Sequence, residues 1–253
     1  MKSIKILTIT AAVAILTLSS FSYKYNTKPA SADNGFAVIE LFTSEGCSSC
    51  PPADAVVAKI EKESAGKPIY ILAFHFDYWN RLGWKDAFSS AAYSQRQNQY
   101  AHWLNLSSVY TPQIVVNGRT EFVGSEEGTL RNAIKTNLAK NAVAQINLSD
   151  ITINQNKAEL RYQIQGETTS CVLLLAVVQK SAQTKVERGE NAGHTLSHVQ
   201  IVRGIESISL KGDKGSASIE LPKGFDAHES EIIAFVQNTS NGEITGATKT
   251  VFN

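Results

Sequence analysis

Phe36 to Phe42 (FAVIELF) is a short apolar run, closed by Thr43-Ser44-Glu45-Gly46, that delivers the chain directly to Cys47-Ser48-Ser49-Cys50 and then to Pro51 and Pro52. No other stretch restricts the fold as tightly. An apolar run of this length bounded by turn residues reads as a buried strand. From Ala53 to Lys62, Ala, Val and Ile recur at helical intervals. Proline is tolerated in a first helical turn, where its missing N–H has no partner anyway. The two cysteines therefore sit where a strand turns into a helix.

Gly66-Lys67-Pro68 ends that helix, and Ile69 to Phe76 (IYILAFHF) makes a second strand. Asp77 to Trp84 is an aromatic loop, and Ala87 to Leu104 reads as a helix. Tyr110-Thr111-Pro112-Gln113 leads into a strand at Ile114 to Val116, a hairpin turn at Asn117-Gly118 and a short strand near Glu121 to Val123, before a helix over Glu126 to Lys140. From Ala144 the texture changes to seven short alternating strands separated by turns rich in Gly and Asn. That spacing is the signature of an all-β sandwich. The expected organisation is an α/β domain over 35–142, with a central mixed sheet flanked by helices and a helical insertion, followed by an all-β sandwich-like domain over 143–253.

Residues 1–34 have the form of an export signal and polar leader. Lys2 and Lys5 precede an apolar run from Ile6 to Leu18, and a polar stretch from Ser19 to Asn34 follows. The chain is expected in the periplasm or outside the cell. Met1 to Phe21 is nearly long enough for a tilted span, so an uncleaved anchor stays open as the one expected membrane contact. Twenty-four basic and 23 acidic residues leave a formal charge of +1, so no long-range field draws the chain to nucleic acid. Only three cysteines occur in 253 residues, whereas a disulfide-stapled secreted domain carries more, in an even number. These cysteines read as chemical.

A cysteine at a helix start meets unpaired N–H groups and the positive end of the dipole, which favour thiolate over thiol. Cys47 is the candidate nucleophile, and Cys50, one turn on, the candidate resolving thiol. Two thiolates and the imidazole of His75 also suit copper or zinc. Pro51 and the Thr111-Pro112 pair fit redox exchange better, so no metal and no cofactor are assigned. Cys171 opens an apolar strand and reads as a structural thiol. His194 and His198 read as turn or surface residues.

Strand-CxxC-helix followed by Thr111-Pro112 before a hairpin resembles the thioredoxin-like superfamily. It is most similar to a secreted bacterial group within it that is classed as a domain of unknown function. The resemblance rests on ELFTSEGCSSCPPAD (Glu40 to Asp54), DYWNRLGWKDAF (Asp77 to Phe88), TPQIVVNG (Thr111 to Gly118) and RGENAGHTLSHVQIVRG (Arg188 to Gly204). It implies that 35–142 is a thioredoxin-like domain. It further implies that Pro112 is a cis-proline against the cysteine pair and that the Thr111 backbone pairs with an extended substrate. Glu40 lies close to where thioredoxins bury an acid that takes the second cysteine's proton; its alternative is an edge-facing strand glutamate. The chain departs from thioredoxin in having Gly46 where an aromatic residue commonly stands. It also has a longer segment before Thr111, expected as a lid or platform. There Trp79 and Trp84, with His75, join Thr111 as candidate substrate contacts, beside Tyr78, Arg96 and His102. The alternative for the aromatic residues is packing of an inserted helix.

The function so implied is an exported thiol–disulfide oxidoreductase acting on protein or small-molecule thiols and disulfides. Two alternatives stand beside it: a non-catalytic binding protein in which the CxxC pair is a structural disulfide, and a copper- or zinc-binding protein.

Overall fold

The computed structural model describes residues 35–252; the expected export signal over 1–34 lies outside them. Strand β1 (Ala37–Thr43) is buried at all seven positions. It runs parallel to β2 (Ile69–His75), with Thr43 opposite His75. On its other side β1 pairs antiparallel with β3 (Gln113–Val116), which forms a hairpin with β4 (Thr120–Val123). Three helices accompany these strands: α1 (Cys50–Glu63), α2 (Ala91–Trp103) and α3 (Glu127–Leu138). The side chain of Ser90 caps α2 by accepting from the amide of Ala92. Among the described residues no helix is long and apolar enough to cross a membrane.

Seven strands follow, as the alternation predicts: β5 (Ala144–Asn154), β6 (Lys157–Gly166), β7 (Cys171–Lys185), β8 (Thr195–Ser209), β9 (Lys214–Glu220), β10 (Ser230–Asn238) and β11 (Ile244–Val251). They do not close into a sandwich of their own. Four of them extend the first sheet to eight strands in the order β11-β10-β7-β8-β2-β1-β3-β4, and only β5, β6 and β9 form a separate sheet. The joint is the parallel pairing of β2 with β8 at Ala73 and Ile201. Residues 35–142 and 143–253, expected as two bodies, thus share one sheet.

Side-chain alternation explains why the halves fuse. Successive strand residues face opposite sides of a sheet. On one side, Val38, Phe42, Leu72 and Phe74 join Tyr93 and Tyr100 of α2 and continue into Leu174, Ala176, Ile233 and Phe235, so one apolar core runs across both halves. On the other side, Ile39, Leu41, Ile71 and Ala73 pack on α1 and α3. Farther along that side, Leu173, Leu175 and Val177 pack on the three-stranded sheet. A strand with both faces covered reads as a continuous apolar run. Both β1 and the first half of β7 have that form.

Glu40 faces the α2 side and is fully buried. It receives Arg96 Nε at 2.5 Å, Arg96 Nη2 at 3.0 Å and the hydroxyl of Tyr100. Arg96 also donates to Gln237 Oε1 at 3.2 Å, which ties β10 to the same clamp. Removing one member of a buried ion pair strands the other charge, at about 3–5 kcal/mol. Arg96→Met is therefore expected to lower unfolding free energy by about 3–5 kcal/mol. Glu40→Gln combined with Arg96→Met should lose less than Arg96→Met alone. Denaturant melts of the three proteins measure this, and a loss below about 1 kcal/mol for Arg96→Met contradicts it.

Candidate functional site

The site lies at the C-terminal ends of β1 and β2, on the side covered by α1. After Thr43 the backbone turns, with the amide of Cys47 donating to Ser44 O and that of Cys50 to Cys47 O. Helix α1 starts at Cys50 with Pro51 and Pro52 in its first turn. Neither proline has an N–H, so the amides directed at Cys47 are those of Ser49 and Cys50. Ser49, at the helix cap position, makes no cap hydrogen bond. Its hydroxyl stands 3.1 Å from Cys47 Sγ and donates to Thr111 O at 3.5 Å.

Both cysteines are free thiols, and their environments differ. The hydrogen bond from Cys50 lowers the Cys47 thiol to about 6, with burial opposing it and the Ser49 hydroxyl and the two amides adding to it. Cys50 is pushed far up, first by burial and then by its hydrogen bond to Cys47 and the charge of that sulfur. Its Sγ lies 3.2 Å from Thr111 Oγ1. The Thr111–Pro112 bond is cis. Cys47 is the more acidic thiol and Cys50 holds its proton.

Under the pair lies a group of buried polar side chains. Asp54, four residues after Cys50 on α1, accepts from Thr43 Oγ1 at 3.2 Å. Burial pushes its carboxyl up to about 7, with the charge of His198 and the Thr43 hydroxyl pulling down and Asp86 and Cys47 adding to the rise. His75 Nδ1 stands 2.7 Å from Asp86 Oδ2, which also accepts from the amide of Glu45 at 2.9 Å. For Asp86 burial opposes ionisation, but the charge and hydrogen bond of His75 and the amides of Glu45 and Phe88 outweigh it and hold the carboxyl low. His198, from β8, packs edge-on to His75 with ring centres 4.8 Å apart, and its Nε2 is 3.5 Å from Glu45 Oε1.

The connection from β7 to β8 crosses the top of the site. Asn191 Nδ2 donates to Glu45 O at 2.8 Å and to Cys47 O at 2.9 Å. Glu190 Oε2 accepts from the Ser48 amide at 2.9 Å and from its hydroxyl at 2.7 Å. With this strap in place Cys47 is 1% exposed, although Ser48 and Ser49, which follow it, face solvent.

The structure brings together Cys47, Cys50, Thr111 and Pro112. Trp79 and Trp84 border them: a Cβ on Gly46 would lie 3.4 Å from Trp79 Cβ, and Trp84 Nε1 donates to Glu45 Oε2 at 2.7 Å. Two expected roles need correction. Glu40 points to the opposite side of the sheet from α1 and is held by Arg96, so it does not take the proton of Cys50. His75 is fully buried and engaged with Asp86, so it lines no substrate groove. His198, expected at a turn or surface, is 2% exposed. Arg96 belongs to the Glu40 clamp. Sequence reasoning passed over Asp54, Glu45, Asp86, Glu190 and Asn191. Asp54 alone left a signal, as an acid one turn beyond Cys50 on the helix face that buries Ala53 and Val57. Among the described residues no three His, Cys, Asp or Glu side chains are arranged to hold a metal ion.

A family model described as "Protein of unknown function (DUF1223)" matches residues 38–237. Among solved structures, a protein from Agrobacterium tumefaciens is similar with a TM-score of 0.66 and 24% identity, over 86% of this chain and 94% of that one. HBP35 of Porphyromonas gingivalis is similar with a TM-score of 0.62 and 17% identity, over 87% of this chain and 76% of that one. At these identities the likeness is one of fold. No curated protein matches the chain.

Glu190→Ala removes the two hydrogen bonds that hold the strap to Ser48 and should speed alkylation of Cys47 by a neutral haloacetamide about tenfold. Mass spectrometry of quenched aliquots measures the rate. An unchanged rate shows that the strap does not control access.

Proposed function

The chain belongs to the family described as a protein of unknown function (DUF1223), which brings no assigned activity, and we propose from its own site that it is an exported, thioredoxin-like thiol–disulfide oxidoreductase. The observation that carries this reading is the asymmetry of the pair. One sulfur is surrounded by hydrogen-bond donors from Cys50, Ser49 and two amides, and the other is buried against Thr111 with its proton retained. An inert disulfide needs no such difference. Exchange does, because the thiolate is the attacking species.

In the reducing direction the Cys47 thiolate attacks one sulfur of a substrate disulfide. The Cys47–substrate S–S bond forms, the substrate S–S bond breaks, and the first substrate thiolate leaves and takes a proton from water. Cys50 then passes its proton to the Asp54 carboxylate and attacks Cys47 Sγ. The second substrate thiolate leaves, and the dithiol has become a disulfide while the substrate disulfide has become two thiols. The same steps run backwards oxidise a substrate dithiol. Thr111, in contact with both Cys50 and Ser49, offers its backbone to an extended substrate segment, and Trp79 and Trp84 border the approach. Entry to Cys47 requires the Glu190 and Asn191 contacts to open.

One observation favours a second reading. Cys47 is only 1% exposed, as in a binding protein whose cysteine pair serves structure alone. Substrate trapping separates the two. Cys50→Ala should accumulate mixed disulfides on Cys47 with protein or small-molecule partners, and Cys47→Ala should accumulate none. Absence of adducts on the Cys50→Ala protein under oxidising conditions contradicts the oxidoreductase reading. In the reduced protein, the alkylation rate of Cys47 should rise with pH to a half-maximum near 6, the point to which its thiol is lowered. A half-maximum at the pH of an ordinary thiol, about 8.5, contradicts the asymmetry.

A further inference from the structure

Gln97 places a fully buried amide on the face of α2 that also buries Tyr93 and Tyr100. A buried amide is costly unless its polar atoms are paired. This one is paired at both ends. Its Nε2 donates to Tyr110 O at 2.8 Å and to Gln113 Oε1 at 3.0 Å, and its Oε1 accepts from the hydroxyl of Tyr78 at 3.2 Å. Gln113 Nε2 in turn donates to Glu121 Oε2 at 3.0 Å, and the same oxygen accepts from the hydroxyl of Tyr110. Gln97, Tyr110, Glu121 and Gln113 thus close a ring of hydrogen bonds. Between Tyr110 and Gln113 the chain carries Thr111, which touches Cys50 and Ser49, and Pro112.

We propose that Gln97 is a positioning residue for the cysteine pair: by holding Tyr110 on one side and Gln113 on the other, it sets the Thr111 hydroxyl against Cys50 for the step in which Cys50 attacks. This rests on the exchange steps of the proposed function and adds the residue that places Thr111 in them. The Thr111 hydroxyl has one proton and two neighbours, Phe42 O at 3.4 Å and Cys50 Sγ at 3.2 Å. While Cys50 keeps its proton, the thiol donates to Thr111 Oγ1 and the hydroxyl donates to Phe42 O. Once that proton is given up the sulfur can only accept, and the hydroxyl turns to donate to it. A hydrogen bond to a charged group is stronger than one between neutral groups. Burial and Cys47 push the Cys50 thiol up, and the Thr111 hydroxyl opposes them. The turn of the hydroxyl requires its oxygen to stay within reach of both neighbours, and the ring holds it there. An apolar side chain at position 97 would fill the same space and leave Tyr110 O and Gln113 Oε1 without their donor.

Dithiodipyridine, a neutral aromatic disulfide, reads the two steps separately in the full reduced chain carrying Cys171→Ser. With one equivalent, Cys47 attacks one sulfur of the reagent: the bond from Cys47 to that sulfur forms, the reagent S–S bond breaks, and the first pyridinethiolate leaves and is protonated to thiopyridone. Cys50 then gives up its proton and attacks Cys47 Sγ, so that the Cys47–Cys50 bond forms and a second thiopyridone is released. Gln97→Met should slow the second release at least about tenfold, as loss of one hydrogen bond to a charged group does. The first release should be little changed, because the donors around Cys47 are Cys50, Ser49 and two amides, none of them in the ring. Thr111→Val should slow the second release in the same way, and the double variant should be no slower than the slower single one, because Gln97 acts through Thr111. A second release at the parent rate in Gln97→Met overturns the proposal, and so does full additivity in the double variant. Where Gln97→Met does not fold, Glu121→Leu opens the ring from its half-buried side, and an unchanged second release there overturns the proposal. A parent chain that releases one thiopyridone and never the second removes the oxidoreductase reading itself. Release of both, with Gln97→Met unaffected, keeps exchange and removes only Gln97 from it.

Discussion

Strand β1 has no solvent face, and most of the molecule follows from that constraint. Its odd-numbered residues Ala37, Ile39 and Leu41 pack toward α1 and α3, while Val38, Glu40 and Phe42 pack toward α2. A charged residue on such a strand must be paired, since an isolated buried charge is far too costly. Glu40 meets that demand by taking Arg96 and Tyr100 from α2 and, through Arg96, Gln237 from β10. The clamp fixes α2 across both halves of the large sheet. With both faces anchored, the end of β1 is rigid, and the cysteine turn leaves from a fixed point.

That rigidity matters because the chemistry is built by small differences in position. Thr43, the last residue of β1, holds Asp54, and its cross-strand partner His75 holds Asp86. The C-terminal ends of parallel strands are a common place for sites in open α/β sheets. Here the second half of the chain completes the site from two directions. Its β7–β8 connection lays Glu190 and Asn191 over Cys47, and β8 itself puts His198 underneath. The all-β part is therefore not an appended module but a wall and a cover for the cysteine pair.

Much of the fold is legible in the residues. The helical spacing of Ala53, Val57 and Ile60 marks α1, and Asn117-Gly118 marks the β3–β4 hairpin. All seven alternating strands of the second half exist, although β7 and β8 run on to Lys185 and Ser209, well beyond their expected ends at Gln179 and Ile201. What alternation does not carry is the identity of a strand's neighbours. Leu173 to Val178 buries both faces equally well in a separate sandwich or in a sheet that β8 joins to β2, and only the tertiary packing of Phe235 and Ile233 under α2 chooses. The site divides in the same way. Cys47 and Cys50 are tied by local chain geometry and can be read from the motif, whereas Thr111, 61 residues beyond Cys50, and Pro112 are reached only through the resemblance. Glu40 misleads because its strand position resembles that of a proton acceptor while its parity points it to the other side of the sheet. Glu190 lies 142 positions beyond Ser48 in sequence and His198 farther still, and no local pattern links them to the cysteines.

The central claim is that the pair is a working couple in the folded protein, and its redox equilibrium tests that most directly. The folded chain is equilibrated with dithiol buffers of graded potential, quenched by alkylation and weighed. The account predicts that Cys47 and Cys50 open and close together as one two-electron couple while the chain remains folded. It is contradicted if the oxidised pair resists buffers below about −300 mV, as structural disulfides do, and opens only when denaturant is added.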